Sequence, residues 1–98
     1  MWRQGDVFIA AVKEVPPRAV RRPGGVLVEG ELTGHSHRLA NLADGELLEK
    51  DGTLYLIVKT DWARIIHQEH KEIRLPRGTY RVWGQREYTP EAIVRVMD

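Results

Sequence analysis

The four histidines of this chain occur as two close pairs. His35 and His37 are separated by one residue, and His67 and His70 are separated by two. Neutral imidazole is a ligand for divalent transition metals such as zinc, nickel, iron and copper, whereas calcium and magnesium prefer oxygen. Because the chain has no cysteine, thiolate ligands and disulfides are excluded. The sequence therefore predicts a divalent transition-metal site formed by these four imidazoles.

Such a site requires both pairs to lie on extended chain. Residues i and i+2 of a strand project from the same face, so His35 and His37 would point together. His67 and His70 would face each other only if residues 68–69 formed a two-residue turn between the arms of a hairpin. The spacing thus predicts that a fold with paired strands brings the two pairs together.

Several functions are compatible with this cluster. If all four histidines bind, the metal is structural; if one coordination position is open, the protein is a metal-dependent hydrolase or oxygenase of a small molecule, with Glu69 as a candidate further ligand or catalytic base. The alternative is a non-enzymatic module with incidental histidines, whose partner is another protein or a second copy of this chain. Ser36 is the only serine, and no triad-like context supports it as a nucleophile. The sequence does not decide whether the protein is an enzyme.

The elements that would position these residues are short strands. Runs of β-branched or alternating residues are separated by glycine, proline and aspartate, as is typical of strands joined by turns. The predicted strands are residues 6–12, 26–32, 35–39, 46–49, 53–59, 62–67, 71–75 and 79–88. A loop is predicted at residues 16–25 and a turn at residues 76–78. Residues 89–91 favour the start of a short helix, and the alternative is a final strand at residues 92–96. We therefore predict one all-β domain over residues 1–98, a small barrel or sandwich of seven or eight short strands.

Length, charge and hydropathy narrow the class of protein. A chain of 98 residues closes one hydrophobic core, and a formal net charge of +1 gives no strong field that would attract nucleic acid or anionic lipid. The predicted loop carries a basic cluster of Arg18, Arg21 and Arg22, but no aromatic residue lies beside it, which argues against nucleic-acid binding. No segment reaches the roughly 20 apolar residues of a membrane span and no signal peptide is visible, so we expect a cytoplasmic protein outside the membrane.

A polar segment near the C-terminus supplies further candidates. On a strand, Arg86 and Tyr88 would share one face, while Gln85 and Glu87 would share the other. Arg86 is a candidate for bidentate binding of a carboxylate or phosphate. Glu87 is a candidate for orienting a ligating histidine through a hydrogen bond. The alternative for Arg86 is an internal ion pair or a place on the rim of a barrel.

The segments GELTGHSHRL and HQEHKEIRLPRGTYRVWGQREYTPE resemble a small uncharacterised protein family of bacteria and their phages. The shared elements are Gly-His-x-His, His-x-Glu-His and a Gln-Arg-Glu-Tyr-Thr-Pro-Glu ending, and the resemblance extends from about Val26 onward. It implies no particular activity. A phage-associated accessory role belongs with the interaction-module alternative.

A looser similarity is to cupins, small β-barrels whose first motif holds a His-x-His metal pair and whose second contains Pro-x-Gly. Here Gly30 precedes His35-Ser36-His37, and Pro76-Arg77-Gly78 follows downstream. The chain departs from that pattern because no Glu follows His37 by three or four residues and because Arg81 stands where a histidine is expected. The similarity therefore implies at most a cupin-like arrangement of metal ligands.

Overall fold

The computed structural model describes residues 1–29 and 35–84. These residues form strands and one 3-10 helix, in the order β1 Trp2–Gln4, β2 Val7–Ala11, β3 Val20–Arg22, β4 Val26–Glu29, β5 Ser36–Leu39, the 3-10 helix Leu42–Asp44, β6 Gly45–Lys50, β7 Thr53–Ile66 and β8 Ile73–Gly84. The all-β prediction is confirmed, and the described residues contain eight strands, within the predicted seven or eight. The helix predicted at residues 89–91 and the alternative strand at residues 92–96 lie outside the described residues.

The strands form one antiparallel sheet. Its main order is β1-β2-β8-β7-β5-β4, and β6 pairs with both β7 and β3. The sheet branches at β7, because β6 pairs along the first part of that strand and β5 pairs near its end. Within the described residues the sheet does not close, so the β-barrel that we considered from the sequence is wrong.

The hairpin β7–β8 is longer than the sequence indicated. The predicted strands 53–59 and 62–67 belong to one continuous strand, and the turn predicted at residues 76–78 lies inside β8. Proline and glycine mark an irregularity in strand pairing here rather than a reversal of the chain. Both strands therefore run past the predicted turn to reach the histidine cluster.

Arg77 bridges the irregularity in this hairpin. The register shifts between Val58 and Trp62, so that residues 59–61 of β7 lie opposite Arg77 alone. The Arg77 guanidinium donates one hydrogen bond to the backbone carbonyl of Lys59 and another to Asp61 Oδ1 at 3.2 Å. A backbone carbonyl that loses its ladder partner at the bulge is thereby paired.

Alternating apolar residues bury one face of the sheet. Leu54, Leu56 and Val58 on β7 are buried at every second position. Among the described residues, the buried apolar set is Val7, Ile9, Leu27, Leu39, Leu47, Leu54, Leu56, Val58, Ala63, Ile65, Leu75, Tyr80 and Val82. On β5 the same alternation buries His37 beside Leu39. The core face thus continues into the histidine cluster.

The predicted basic loop contains a strand. β3 pairs with β6, and this pairing places Arg21 3.4 Å from a carboxylate oxygen of Glu46 and Arg22 3.6 Å from one of Glu49. Acidic side chains on the neighbouring strand therefore offset two of the three positive charges. In the described parts of the chain, no helix has the length and apolar character needed to cross a bilayer.

Candidate histidine site

All four imidazole rings lie together where β5 begins and β7 ends. The ring of His67 is central, with centroid distances of 4.3 Å to His37, 4.6 Å to His70 and 5.6 Å to His35. The rings of His37 and His70 are 5.9 Å apart and nearly parallel. The structure therefore brings together every histidine that the sequence singled out.

The connection that places His67 and His70 is not the predicted two-residue turn. β7 ends at Ile66 and β8 begins at Ile73, so residues 67–72 form a longer loop. Within it, the backbone N–H of Glu69 donates to Nδ1 of His67 at 3.0 Å, which folds the chain back locally. The histidines meet because this loop curls, rather than because they are cross-strand partners.

A side-chain contact attaches this loop to β5. The backbone N–H of Ser36 donates to Oε1 of Gln68 at 3.1 Å. Ser36 lies between His35 and His37, so the contact holds the two histidine pairs beside each other. The sole serine therefore contributes through its backbone here.

Gln4 on β1 orients the buried ring of His37. Its amide nitrogen donates to the carbonyl oxygens of Ile65 at 3.0 Å and of Lys71 at 2.8 Å, so its Oε1 must face the other way, toward His37 Nδ1 at 2.9 Å. Because Oε1 only accepts, Nδ1 carries the proton, and Nε2 of the neutral ring carries the lone pair. The sequence reasoning missed Gln4; a lone polar residue at an apolar-facing position of a short N-terminal strand was the available signal.

Burial keeps the two central histidines neutral. Burial, followed by repulsion from His67 and His70, lowers the pKa of His37 from 6.5 to about 4, even though Asp6 acts in the opposite direction. Burial also lowers the pKa of His67. His70 and His35 lower this pKa as well, whereas Glu69 and Asp6 raise it. Near neutral pH both rings are therefore neutral, and each carries one nitrogen lone pair.

Asp6 faces the lone pair of His37. Its Oδ1 lies 3.6 Å from His37 Nε2, and its side chain is about half exposed, at 53%. Both atoms are acceptors when His37 is neutral, so they form no hydrogen bond with each other in that state. Sequence reasoning missed this contact because Asp6 is distant from all four histidines along the chain.

Glu69 contacts His35. The distance from His35 Nδ1 to Glu69 Oε1 is 3.1 Å. In this geometry the carboxylate accepts from Nδ1–H. The candidate base is therefore placed where it orients a histidine ring.

The turn between β1 and β2 passes directly beside His70. Gly5 has φ +59°, and a Cβ atom built on it would lie 2.6 Å from His70 Nε2. A side chain at this position would have to displace the ring, in addition to adopting an unfavourable backbone conformation. Gly5 thus allows the close approach that positions the exposed His70 over the cluster.

The present arrangement of side chains is not a complete metal site. Within residues 1–29 and 35–84, no group of three or more histidine, aspartate and glutamate side chains could hold a metal ion as they stand. In addition, Nδ1 of His67 already accepts the Glu69 N–H, which leaves the proton of the neutral ring on Nε2. The other candidates, Arg86, Glu87 and Tyr88, lie outside the described residues.

Comparison with known families matched residues 3–85 to a family model described as a domain of unknown function (DUF8820). Neither the curated proteins nor the solved structures gave a match. The matched segment contains all four histidines as well as Gln4 and Asp6. The whole candidate site therefore lies inside the matched segment.

Proposed function

This chain belongs to the DUF8820 family of domains of unknown function, and we propose that it binds a divalent transition-metal ion at the histidine cluster. The observation that carries this proposal is the pair of facing acceptors, His37 Nε2 and Asp6 Oδ1, at 3.6 Å. Two ligands about 2.1 Å from a tetrahedral ion lie about 3.4 Å apart, which is close to this separation. An ion between them would bind both lone pairs.

The supporting hydrogen bonds match those that orient metal-binding histidines. Such histidines commonly donate the other ring N–H to a carboxylate or a carbonyl oxygen. His37 has this arrangement through Gln4, and His35 has it through Glu69. We assign Glu69 this orienting role in place of general base.

Completing the coordination requires a local rearrangement of the loop at residues 67–72. His70 is exposed, and its ring would leave its contact with Gly5 when it turns toward the ion. His67 must release the N–H of Glu69 in either case, because Nδ1 can bind the ion only when it no longer accepts that N–H, and Nε2 can bind only after its proton has moved to Nδ1. His37 and Asp6 are therefore the first ligands, and His67 and His70 close around the ion.

Nitrogen-rich coordination favours zinc, nickel, copper or iron over magnesium and calcium. A hydrolytic or oxygenase reaction would further require a position on the ion that is open to water or substrate. Metal binding is therefore the first property to measure. The number of coordination positions that protein side chains occupy on the ion then decides whether water or a substrate can bind to it.

The test is calorimetric titration of zinc and nickel into tag-free protein that has been treated with a chelator. We expect one ion per chain, affinity lowered by about 100-fold or more in His37→Ala, and a smaller loss in the isosteric Asp6→Asn. The matched control is Asp51→Asn, since Asp51 is an exposed aspartate in the β6–β7 turn. Absence of saturable binding to the folded parent would contradict the proposal, as would equal affinities in the parent and His37→Ala.

A further inference from the structure

A hollow of about 300 Å³ is lined in part by Arg38 and Ile66, the residues next to His37 and His67 in the chain. It lies across β4, β5 and β7, and its lining is mostly apolar, with Arg38 as its one charged residue. A second hollow of about 120 Å³ is lined by Arg38, Ile66, His67 and Gln68. Because Arg38 and Ile66 line both, the two hollows are neighbours, and we call the pair the groove; His67 lines only the second hollow.

Strand pairing forms the floor of this groove. Arg38 is the partner of Val26 on β4 and of Ile66 on β7, so the three side chains form one row across three strands. Paired residues of antiparallel strands project from the same face. The row therefore sets one arginine between two β-branched aliphatic side chains.

Leu42 forms a wall of the same groove. It belongs to the 3-10 helix and is 62% exposed. Its Cδ2 lies 2.5 Å from the position that a Cβ on Gly25 would take, so the leucine leans into space left by the glycine. An exposed leucine beside a partly apolar hollow offers a surface that an aliphatic chain could cover.

Arg38 supplies the charge in this groove. In the part of the chain that the structure describes, Arg38 makes no ion pair with an acidic side chain, whereas Arg64 on the adjacent strand pairs with Glu72 at 3.1 Å. The guanidinium matches the two oxygens of a carboxylate in a bidentate geometry. A cation flanked by aliphatic side chains is complementary to an acid with an apolar tail.

We propose that this groove binds a small aliphatic monocarboxylic acid. The carboxylate pairs with Arg38, and the aliphatic chain covers Val26, Ile66 and Leu42. The volume of about 300 Å³ is at the small end of ligand pockets, which limits the acid to a short or medium chain. The second hollow leaves the carboxylate end of the ligand next to His67. Binding of the acid does not depend on a metal ion.

The test uses octanoate as the probe and records amide chemical shifts of the metal-free protein at neutral pH. We expect saturable shifts at Val26, Leu42 and Ile66 with octanoate. Acetate lacks the chain and 1-octanol lacks the charge, so each should bind about tenfold more weakly or worse. No saturable shift at these residues with octanoate, or equal binding of 1-octanol, would overturn the proposal.

Two variants separate the charge from the apolar wall. Arg38→Gln should weaken octanoate binding by about tenfold or more, and Leu42→Ala should weaken it less. The charge-matched control is Arg81→Gln, since Arg81 lies on β8 over the Trp83 ring and outside both hollows. Equal affinity in the parent and Arg38→Gln would refute the assignment of Arg38. Because the protein is metal-free throughout, this result is independent of metal binding.

Discussion

The amide oxygen of Gln4 lies 2.9 Å from Nδ1 of His37, and this contact connects the first strand of the sheet to the histidine cluster. The same amide pairs two backbone carbonyls near the end of β7 and the start of β8. One buried side chain therefore determines the tautomer of His37 and connects β1 to the end of β7 and to the loop before β8. The contribution of Gln4 is measurable as a change in the free energy of unfolding.

Replacing Gln4 with leucine should destabilise the metal-free protein by about 3 kcal/mol, because the carbonyls of Ile65 and Lys71 and the Nδ1–H of His37 lose buried partners. Urea denaturation measures the change. The control is Gln68→Leu, which removes from an exposed residue the amide oxygen that accepts from the Ser36 N–H. It should lower the free energy of unfolding by about 1 kcal/mol or less. Similar losses in the two variants would contradict the central position of Gln4.

The stability of the metal-free protein should fall as the pH is lowered from about 6.5 toward 4. The pKa of His37 is about 4 in the folded state and 6.5 in the unfolded state, so in this window the unfolded state binds a proton that the folded state does not. At 1.36 kcal/mol per pKa unit the loss reaches about 3 kcal/mol, and above this window the contribution is constant.

The comparison variant for this pH dependence is His37→Gln, which removes the titrating group. Denaturant unfolding of both proteins across the pH range should show a difference in free energy that narrows as the pH falls. The lowered pKa of His67 acts in the same direction in both proteins, so subtraction removes most of its effect. Parallel pH profiles for parent and variant would show that His37 is not the group responsible.

Gly5→Ala should be more destabilising than Gly52→Ala. Both glycines have positive φ, at 59° and 79°, so both substitutions incur backbone strain of about 1 kcal/mol. Only the alanine at position 5 would meet a neighbour, the ring of His70, whereas nothing lies within 4 Å at position 52. Chemical denaturation of both variants measures the difference. Equal losses would indicate that His70 does not pack on Gly5.

Arg77→Gln should destabilise the protein by about 1 kcal/mol, because the Lys59 carbonyl and the Asp61 carboxylate lose a shared donor at the irregularity of β7. Hydrogen exchange should quicken at residues 59–62. Arg74→Gln is the control, since Arg74 is an exposed β8 arginine whose pair with Glu72 is 3.6 Å long and adds little. A larger effect from Arg74 would contradict the bridging role of Arg77.

Local signals were sufficient for much of the fold. Alternation of apolar residues predicted the strands, and Asp51-Gly52 predicted a hairpin turn that the positive φ angles of both residues and the pairing of Lys50 with Thr53 confirm. Residues 76–78 were misread as a turn because proline and glycine accompany both turns and bulges. Pairing with a distant segment, which local sequence does not encode, distinguishes the two.

The sequence by itself determined the kind of chemistry available: four imidazoles in two pairs, no thiol, and strands to carry them. Only the tertiary structure decided which partners surround them, because Gln4 is 33 residues from His37 and 61 from Ile65 along the chain. Burial of His37 and its resulting neutrality depend on those distant contacts. Residue type limits which atoms can bind, whereas the folded environment sets the orientation and protonation of each ring.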